Sequence, residues 1–541
     1  MNCLHVLDEM RPVEEKYADE LVVVGVHSPK FAHEADPDAL VAAVERYAVH
    51  HPVLDDPDLV TWQAYTARAW PTLVLVDPEG YVVAQYAGEG HAHAIDAMIG
   101  SLREAHLTRG TLQPGDSPYV PPAHEPTNLR FPAKAVLLPD GDLLVADAGH
   151  DQLVVLSSSV GEPVVRRITG FREPGGLCLL PAEVATEVGY DVVVASTAGH
   201  RLDGLDLASG EVRSLAGDGG QWMQGDGTAR LSSPWDLTWW QDRVWVAMAG
   251  IHQLWTFDPR TGAVEVVAGT TNEGLLDGPL DEAWFAQPSG LAADGDRLWV
   301  ADAETSALRV VSEGRVRTVV GTGLFDFGFR DGAAGEAMLQ HPLGVTVLPD
   351  ASVAICDTYN GAVRRFDPAT GAVTTLAADL AEPSGAVVDG EHLVVVESAA
   401  HRLTRLLLGE LAEQSTDGFA QTTQRPVTEV AADLSLTITF EPPPGQKVDD
   451  RFGPSSQLLV TSTPPSLIKD GEGRGTELTR RLRLDPAVAD GVLHIAARAA
   501  SCDVEAGEGA ACHVHQQDWG VPVRVTSNGD ATLSLPLGGA G

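Results

Sequence analysis

The clearest candidate for chemistry is Cys3, at the start of the chain. The stretch from Cys3 to Ala18 has a helical pattern, with Leu4, Leu7 and Met10 on one face. A thiol at the start of a helix feels the positive end of the helix dipole, which favours the thiolate that attacks disulfides. A lone thiolate forms a mixed disulfide but cannot complete a redox cycle within the chain. Cys3 therefore predicts thiol–disulfide chemistry that needs a second thiol.

A pair of cysteines lies near the other end of the chain. Cys502 and Cys512 bracket a segment with two glycines, a pattern typical of a hairpin loop that would place the two sulfur atoms opposite each other. His513 and His515 follow at alternate positions of the predicted strand. Three alternatives stay open: two free thiols, a disulfide, or a metal site, although the spacing fits no common zinc pattern.

An internal repeat runs from about Phe131 to Leu411. In each copy a proline precedes an apolar strand, and a second apolar strand follows after a turn. The prolines are Pro132, Pro174, Pro234, Pro288, Pro342 and Pro383. Short strands with a period of about 40 to 50 residues are typical of radial arrays. The sequence therefore predicts a six-bladed β-propeller over residues 131–411.

The second strand of each repeat ends on a residue that we call the pivot. The pivots are Asp147, Ser196, Met248, Asp302, Asp357 and Glu397. One interpretation is that the acidic pivots ring the central channel and hold a cation, as in a metal-dependent propeller hydrolase. The other is that each acid accepts backbone N–H groups of its own turn, which residues 357–360 suggest. Ser196 and Met248 would break a ring, and this favours the turn interpretation.

Long loops between the repeats carry aromatic side chains. Asp-Gly pairs such as Asp277-Gly278 and Asp331-Gly332 supply the positive φ angles that these loops need. The loops also carry Trp222, Trp284 and Phe327. These side chains either form an exposed rim that binds a protein client or a small ligand, or pack the loops onto the blades.

Composition restricts the partners and the compartment. With 76 acidic and 36 basic residues the net charge is −40, which argues against nucleic-acid binding and against anionic membranes. No apolar run reaches the roughly 18 residues of a membrane span, and no signal peptide is visible. The five cysteines are sparse and odd in number, which favours a reducing, cytoplasmic compartment. Cys178 and Cys356 lie on apolar strands, where we expect inert core residues.

Residues 1–107 alternate helix and strand. The apolar run 21–26 predicts a strand buried on both faces. Trp70-Pro71-Thr72 precedes a predicted hairpin, and a final helix is expected over 91–104. The proline-rich residues 108–130 predict an extended linker.

Residues 426–541 carry short predicted strands separated by proline and glycine. This pattern favours a small C-terminal β-sandwich or stalk. The chain is therefore expected to be multidomain.

The N-terminal residues resemble a known family. Asn2-Cys3-Leu4 at a helix start, a strand ending at Gly25-Val26-His27-Ser28, and Trp70-Pro71-Thr72 before a hairpin are similar to NHL-repeat-containing thioredoxin-like proteins. The resemblance covers essentially the whole chain. It implies a thioredoxin-like domain, a six-bladed NHL propeller and a β-rich C-terminal domain, in that order. It also implies that Pro71 follows a cis bond and that Trp70 and Pro71 face the cysteine motif.

The resemblance departs from the family at the start of the chain. The family motif is C-x-N-C, so its first cysteine would lie just before Met1, and Cys3 would be the resolving cysteine. The first strand of the domain would be missing as well. Either the translation start is assigned too far downstream or the motif is lost; we expect the former, because the rest of the domain keeps its pattern.

Three functional hypotheses follow from these residues. The first is a thiol–disulfide redox protein whose propeller binds a client. The second is a non-catalytic propeller scaffold with a degenerate thioredoxin-like domain. The third is a propeller hydrolase with a channel cation. We expect no cofactor and no metal, since no P-loop, dinucleotide motif or Ser-His-Asp pattern is present.

Overall fold

A computed structural model provides the tertiary structure. It describes residues 2–67, 69–115, 119–120, 126–157, 163–222, 227–411, 416–422, 427–442, 446–448, 454–488, 490–503 and 512–537. The chain divides into two compact units: Glu125–Thr422, and Met1–His124 with Thr423–Gly541. The first unit holds the repeat, and the second holds the α/β segment and the C-terminal strands.

The described part of the N-terminal segment contains four α-helices and four short strands. The helices are Asn2–Lys16, Pro37–Arg46, Val60–Ala64 and Ala92–Arg109, with a 3-10 turn at His33–Ala35. The strands form two separate pairs: Gly25–His27 parallel to Val53–Asp55, and Thr72–Val76 antiparallel to Val82–Ala87. We call the first helix the Cys3 helix and the last one the closing helix.

The Cys3 helix packs against the closing helix. Val6, Met10 and Val13 of the Cys3 helix share one core with Ile95 and Ile99 of the closing helix. Residues three or four apart lie on the same helix face, so this face is buried and the opposite face is open to solvent. Packing therefore holds the helix that carries Cys3 in place.

The prediction of a fully buried strand at 21–26 is wrong. Only Gly25–His27 is a strand, and Val22 and Val24 are 68% and 54% exposed. Among the described residues this strand has a hydrogen-bonded neighbour on one edge only. An apolar run is buried on both faces when neighbouring strands and helices cover it, and here that cover is incomplete.

The segment after the closing helix also differs from the predicted linker. The closing helix continues to Arg109, five residues beyond the predicted end, and Gly110 ends it in a left-handed conformation. Leu129 is buried against the first blade of the propeller. The linker prediction for 116–118 and 121–125 lies outside the described residues.

The repeat folds into six blades of antiparallel strands, as predicted. Blade 1 is Pro132–Leu137, Leu143–Asp147, Gln152–Leu156 and Val164–Thr169. Blade 2 is Pro174–Leu179, Val192–Ser196, Arg201–Leu205 and Val212–Ala216, with a helix at Ala182–Val188. Blade 3 is Pro234–Trp240, Arg243–Met248, Gln253–Phe257 and Val264–Ala268.

The remaining blades carry small additions or lack an outer strand. Blade 4 is Pro288–Asp294, Arg297–Asp302, Ala307–Ser312 and Arg315–Val320, with Gly278–Pro279 outside. Blade 5 is Gly344–Val347, Val353–Asp357, Ala362–Asp367 and Ala372–Ala377, with Gly332–Ala333 outside. Blade 6 has three described strands: Pro383–Asp389, His392–Glu397 and Arg402–Leu407. Short 3-10 turns lie at Ala148–His150, Ala249–Ile251, Ala303–Thr305, Thr358–Asn360 and Leu408–Glu410.

The six first strands form a closed ring, because each contacts the first strand of both neighbouring blades and blade 6 contacts blade 1. A recurrent hydrogen bond, which we call the latch, joins one blade to the next. In each latch, the residue that follows the turn of one blade has a positive φ angle. Its side chain accepts a hydrogen bond from the backbone N–H of the residue directly before the repeat proline of the next blade. The donor–acceptor pairs are Glu173–Asp151, Ser233–His200, Gln287–His252, His341–Ser306 and Phe131–His401, at 2.6–3.2 Å.

The latch between Phe131 and His401 closes the ring. It joins blade 6 to blade 1. In the described residues these two blades have no strand in common. The His401 ring also meets the Phe131 ring edge-on, with centroids 4.5 Å apart. Gly361 occupies the latch position of blade 5 and has no side chain to accept with.

A strand after the propeller returns to the loop between blades 4 and 5. Asp417–Thr422 pairs antiparallel with Asp326–Arg330. This strand was not identified from the sequence. The two strands approach so closely that a Cβ on Gly418 would lie 2.2 Å from the Phe329 carbonyl oxygen, which explains the glycine.

The C-terminal segment is a nine-stranded sheet in the described residues. Its strands are Thr428–Thr439, Gln446–Val448, Ser456–Thr463, Ile468–Asp470, Gly473–Gly475, Thr479–Leu484, Asp490–Asp503, Cys512–Val525 and Asp530–Pro536, with a 3-10 turn at Pro465–Leu467. Leu436, Val460, Leu493 and Trp519 come from four of these strands and meet in one core. In the part of the chain that the structure describes, no helix is long and apolar enough to cross a membrane.

Candidate functional site

Cys3 lies in the first turn of the Cys3 helix, and its thiol is exposed. The helix begins at Asn2, so the backbone N–H groups of its first turn surround this position. A thiolate is stabilised by that end of a helix. The predicted nucleophile is thus accessible and sits on a helix that the core holds in place.

A turn that follows the hairpin contacts the same end of the Cys3 helix. His5 is 4% exposed, and its Nδ1 lies 2.7 Å from Glu89 Oε2. The Gly90 N–H donates to both carboxylate oxygens of Glu9 at 3.0 Å. Burial raises the pKa of Glu9, and the Gly90 hydrogen bond opposes this shift. These contacts attach the turn to the first two turns of the helix.

The same turn also contacts the predicted Trp70-Pro71 segment. The Gly88 N–H donates to the Pro71 carbonyl oxygen at 2.9 Å. The Trp70–Pro71 peptide bond is cis. The Cys3 helix and the Trp70-Pro71 segment are therefore joined through one turn, which the sequence did not predict.

Buried hydrogen bonds hold the Trp70 side chain. Its Nε1–H donates to the Ser28 carbonyl oxygen at 2.6 Å, and its ring lies 4.4 Å from the Trp62 ring, centroid to centroid. The Ser28 hydroxyl donates to Asp56 Oδ2 at 3.0 Å. Asp56 also accepts the N–H groups of Thr61 and Trp62, each at 2.9 Å. Asp56 therefore caps the short helix and supports the strand end beneath Trp70.

Ionisation of Asp56 is favoured by this network. Burial opposes the charged form, but the hydrogen bonds from Thr61, Trp62 and Ser28 outweigh it and lower the pKa of Asp56. The sequence analysis missed Ser28 and Asp56. An aspartate directly before a proline and a helical stretch is an N-cap signal, and it could have identified Asp56.

In the propeller, every pivot makes the same hydrogen bond. It accepts the backbone N–H of the residue two positions before the repeat proline. The donor–acceptor pairs are Arg130–Asp147, Arg172–Ser196, Ser232–Met248, Ala286–Asp302, Gln340–Asp357 and Ala381–Glu397, at 2.5–3.5 Å. Even the sulfur of Met248 accepts. The pivots therefore anchor the loop that enters each blade.

The acidic pivots are buried and saturated with donors. All four are 0% exposed. Asp302 also accepts from Thr305 and Arg309, and Asp357 from Asn360 and Arg364. These pivots do not form a metal-binding group in the described residues. The turn interpretation is wrong in its donors: the backbone N–H comes from the preceding inter-blade loop, and the turns of Asp302 and Asp357 contribute the side chains of Thr305 and Asn360.

Two of the three aromatic side chains considered for a binding rim are buried. Trp284 and Phe327 are each 1% exposed, so of the two alternatives the packing of loops onto the blades holds for these residues. Both lie in loops that fold back onto the blades. Burial of a large aromatic side chain is more favourable in free energy than its exposure to water. Trp222 is half-buried, and its Nε1–H donates to the Gly227 carbonyl oxygen at 3.0 Å.

The cysteines separate into two kinds. Cys502 is disulfide-bonded, and the residue opposite it in the strand register is Cys512. Cys178 and Cys356 are buried thiols. Burial raises the pKa of Cys178, and it raises that of Cys356 to about 12, so neither forms a thiolate at neutral pH. Of the alternatives for Cys502, the structure therefore contains the disulfide.

One group of side chains meets the spacing of a metal site in the described residues: Asp77, Glu79 and His106. His106 lies 3.8 Å from each carboxylate, and Arg109 pairs with Glu79 at 3.2 Å. His106 and Arg109 are in the last turn of the closing helix, where cations are favoured. Ion pairs between the helix end and the hairpin turn account for this group.

Comparison with known proteins identifies relatives over about three quarters of the chain. Protein SUPPRESSOR OF QUENCHING 1, chloroplastic, of Arabidopsis thaliana is 34% identical over 454 residues, which is 74% of this chain and 42% of that protein. Human NHL repeat-containing protein 2 is 31% identical over 475 residues, which is 74% of this chain and 64% of that protein. The chain is a homologue of NHL repeat-containing protein 2. The predicted relationship to NHL-repeat proteins is thus confirmed.

This NHL-repeat homologue spans 42% to 64% of the length of these two relatives. Protein DipZ of Mycobacterium bovis is 28% identical over 103 residues, 19% of this chain and 15% of that protein. No protein-family model matches the chain.

Solved structures match at a lower level. The nidogen/laminin complex has a TM-score of 0.38 at 13% identity and covers 51% of this chain and 92% of that one. An auxiliary nutrient binding protein from Bacteroides ovatus has a TM-score of 0.36 at 19% identity and covers 44% and 60%. No functional argument rests on matches at this level.

Proposed function

We propose that this NHL-repeat homologue is a thioredoxin-like redox protein that exchanges disulfides through Cys3 with a client bound by its propeller. The observation that carries the proposal is the exposed Cys3 thiol on a helix that one turn joins to the Trp70-Pro71 segment. An accessible thiol at a helix start, on a helix that is fixed relative to the Trp70-Pro71 segment, is suited to attack on a bound disulfide.

The exchange has two balanced steps. The Cys3 thiolate attacks one sulfur of a client disulfide, a bond forms between Cys3 and that sulfur, and the other client sulfur leaves as a thiolate that takes up the proton lost by Cys3. A second thiol then attacks the mixed disulfide and releases Cys3. Cys178 and Cys356 are buried, so we assign the second thiol to a dithiol reductant rather than to these residues.

The test is reaction with a chromogenic aromatic disulfide under native conditions. We expect one rapidly released aromatic thiolate per chain, and loss of this release in Cys3→Ser. Cys178→Ala is the matched control and should react like the wild type, because that thiol is buried. Equal release from wild type and Cys3→Ser would overturn the proposal.

A non-catalytic scaffold is the second candidate. It is favoured by the pivots, whose acids are all engaged in fold-internal hydrogen bonds. On this hypothesis the propeller binds a partner and the N-terminal domain has no redox cycle.

Partner capture by three variants separates the two candidates. Cys3→Ser should lose disulfide-linked partners if the protein is a redox enzyme, and should keep every partner if it is a scaffold. Trp222→Ala should reduce capture without unfolding, since its side chain is half-buried in the rim loop. Trp284→Ala is the control for a core defect, because that side chain is 1% exposed. Unchanged capture by Trp222→Ala would show that this part of the rim does not bind.

A further inference from the structure

The axis of the propeller is lined by one position of the first strands, two residues after each repeat proline. Four blades have glycine there and two have a charged residue. In blade order the residues are Lys134, Gly176, Asp236, Gly290, Gly344 and Gly385. The two side chains that this position contributes are therefore one cation and one anion.

The glycines let the first strands approach one another closely. A Cβ on Gly290 would lie 2.9 Å from the Gly344 Cα, and a Cβ on Gly344 would lie 3.0 Å from the Gly385 Cα. Real Cβ atoms do not tolerate the shorter of these distances, so neighbouring blades would have to move apart. A Cβ on Gly385 would lie 2.9 Å from the Lys134 side chain. The space that the glycines leave is therefore filled by Lys134.

The Lys134 ammonium group is surrounded by oxygen atoms from three other blades. It donates to the Leu343 carbonyl oxygen and, at 2.8 Å, to the Ser384 carbonyl oxygen. It lies 3.7 Å from Asp236 Oδ2. Lys134 starts in blade 1, and these oxygens belong to blades 5, 6 and 3. The side chain is 8% exposed, so these oxygens replace most of its hydration.

Two backbone N–H groups and the Lys134 ammonium group favour the carboxylate form of Asp236, against the effect of burial. Its Oδ1 accepts the Leu237 N–H and its Oδ2 accepts the Leu291 N–H, both at 2.9 Å. Two oxygens that each accept an N–H group favour the ionised form. Burial raises the pKa of Asp236, and the ammonium of Lys134 opposes that shift. The pair is buried, so removing either side chain leaves the other without its oppositely charged partner.

We infer that the propeller axis is a cation site whose occupant is the tethered ammonium group of Lys134. The ligands are the carbonyl oxygens of Leu343 and Ser384 and the carboxylate of Asp236, a set that also suits a small monovalent cation. Without the lysine side chain the same oxygens will bind free ammonium. This inference does not depend on the redox proposal. The axial cation is bound by residues in or next to the first strands and not by the acidic pivots.

The experiment compares thermal unfolding of wild type and Lys134→Ala in ammonium chloride and in tetramethylammonium chloride at equal ionic strength. Tetramethylammonium is larger and donates no N–H hydrogen bond. We expect Lys134→Ala to unfold at a lower temperature than wild type and to regain several degrees in ammonium relative to tetramethylammonium. Wild type should respond far less to the exchange of salts. An unaltered unfolding temperature in Lys134→Ala, or a salt response equal to that of wild type, would overturn the inference.

Further variants keep the test decisive. Lys134→Ala with Asp236→Asn should lose the ammonium response, because the charged ligand is gone; a retained response would count against the site. If Lys134→Ala does not fold in either salt, Lys134→Met is compared with Lys134→Met/Asp236→Asn. The double variant should be the more stable, since it leaves no buried carboxylate without its cation. A double variant that is no more stable than Lys134→Met would contradict the inference.

Discussion

Asp56 is a single buried residue on which several parts of the candidate site depend. It accepts hydrogen bonds from Ser28, Thr61 and Trp62 and so links a strand end, a helix start and the support of Trp70. A carboxylate has enough lone pairs for all three donors, which an amide or hydroxyl side chain lacks in this geometry. Asp56 therefore has a structural role that its position in an acidic sequence does not reveal.

We predict that Asp56→Ala lowers the free energy of unfolding by about 1–3 kcal/mol, because three donors lose their acceptor in a buried place. Chemical denaturation followed by tryptophan fluorescence measures this, and the signals of Trp62 and Trp70 should change as well. Asp58→Ala, an exposed neighbour, is the control and should change little. Equal effects of the two substitutions would contradict the role given to Asp56.

The same variant should show a defined pH dependence. The pKa of Asp56 is lowered in the folded state, so its ionised form contributes stability above the unfolded pKa, and this contribution is lost as the pH falls through the folded pKa. The difference in unfolding free energy between wild type and Asp56→Ala should therefore be full at neutral pH and shrink in acid. A difference that grows in acid would show that the sign is wrong.

At the scale of elements, buried arginines attach the inter-blade loops to the blades. Arg364 donates to Asp357 Oδ2 at 2.7 Å and to Asp331 of the Asp-Gly loop. Arg309 repeats this arrangement with Asp302 and Asp277, at 3.1 and 3.0 Å. The Asp-Gly pairs thus serve two purposes: the glycine allows the turn, and the aspartate holds the loop to the next blade.

We predict that Arg364→Met costs roughly 3–5 kcal/mol of unfolding free energy, because Asp331 and Asp357 become buried charges without a cation. The adjacent Arg365→Met is the matched control. Arg365 pairs with Asp350, which is 55% exposed, so its loss should cost about 1 kcal/mol or less. Denaturant titration of both variants decides the matter, and similar costs would mean that the buried pair contributes little.

The latches make a second prediction at this scale. His401→Ala removes the acceptor that joins blade 6 to blade 1, whereas His200→Ala removes the same hydrogen bond between blades that the chain already connects. We expect His401→Ala to lower the thermal unfolding temperature more than His200→Ala. His401→Asn, which keeps an acceptor near the Nδ1 position, should recover part of the loss. A larger effect of His200→Ala would contradict the view that this latch closes the ring.

At the scale of the whole molecule, the net charge of −40 is the dominant property. Carboxylates repel one another across the surface, and salt screens this repulsion over roughly 10 Å at 0.1 M. We predict that the unfolding temperature rises between about 0.01 and 0.3 M NaCl. KCl should act equally, since screening does not distinguish the two cations. A fall in unfolding temperature with salt would show that attractive ion pairs outweigh the repulsion.

The sequence by itself determined the repeat, because a proline, an apolar strand and a pivot recur in each of the six copies and local pattern alone specifies a blade. It also identified the relationship to NHL-repeat proteins and the helix that carries Cys3. It left open whether Trp284 and Phe327 are exposed or buried, since a loop sequence does not show which way the loop folds back. It predicted too much cover for 21–26, because burial depends on neighbours that are distant in the chain.

Only the tertiary structure decided how the Cys3 helix is joined to the Trp70-Pro71 segment and what fills the propeller axis. The turn that links the Cys3 helix to Pro71 brings together residues more than 60 positions apart. The pairing of Lys134 with Asp236 joins blades 1 and 3. No local pattern encodes either set of contacts, because the residues are distant in the chain. The Lys134–Asp236 pair arises where six similar blades close into a ring and place one position of each on a common axis. The sequence specifies each blade, and ring closure specifies which side chains meet.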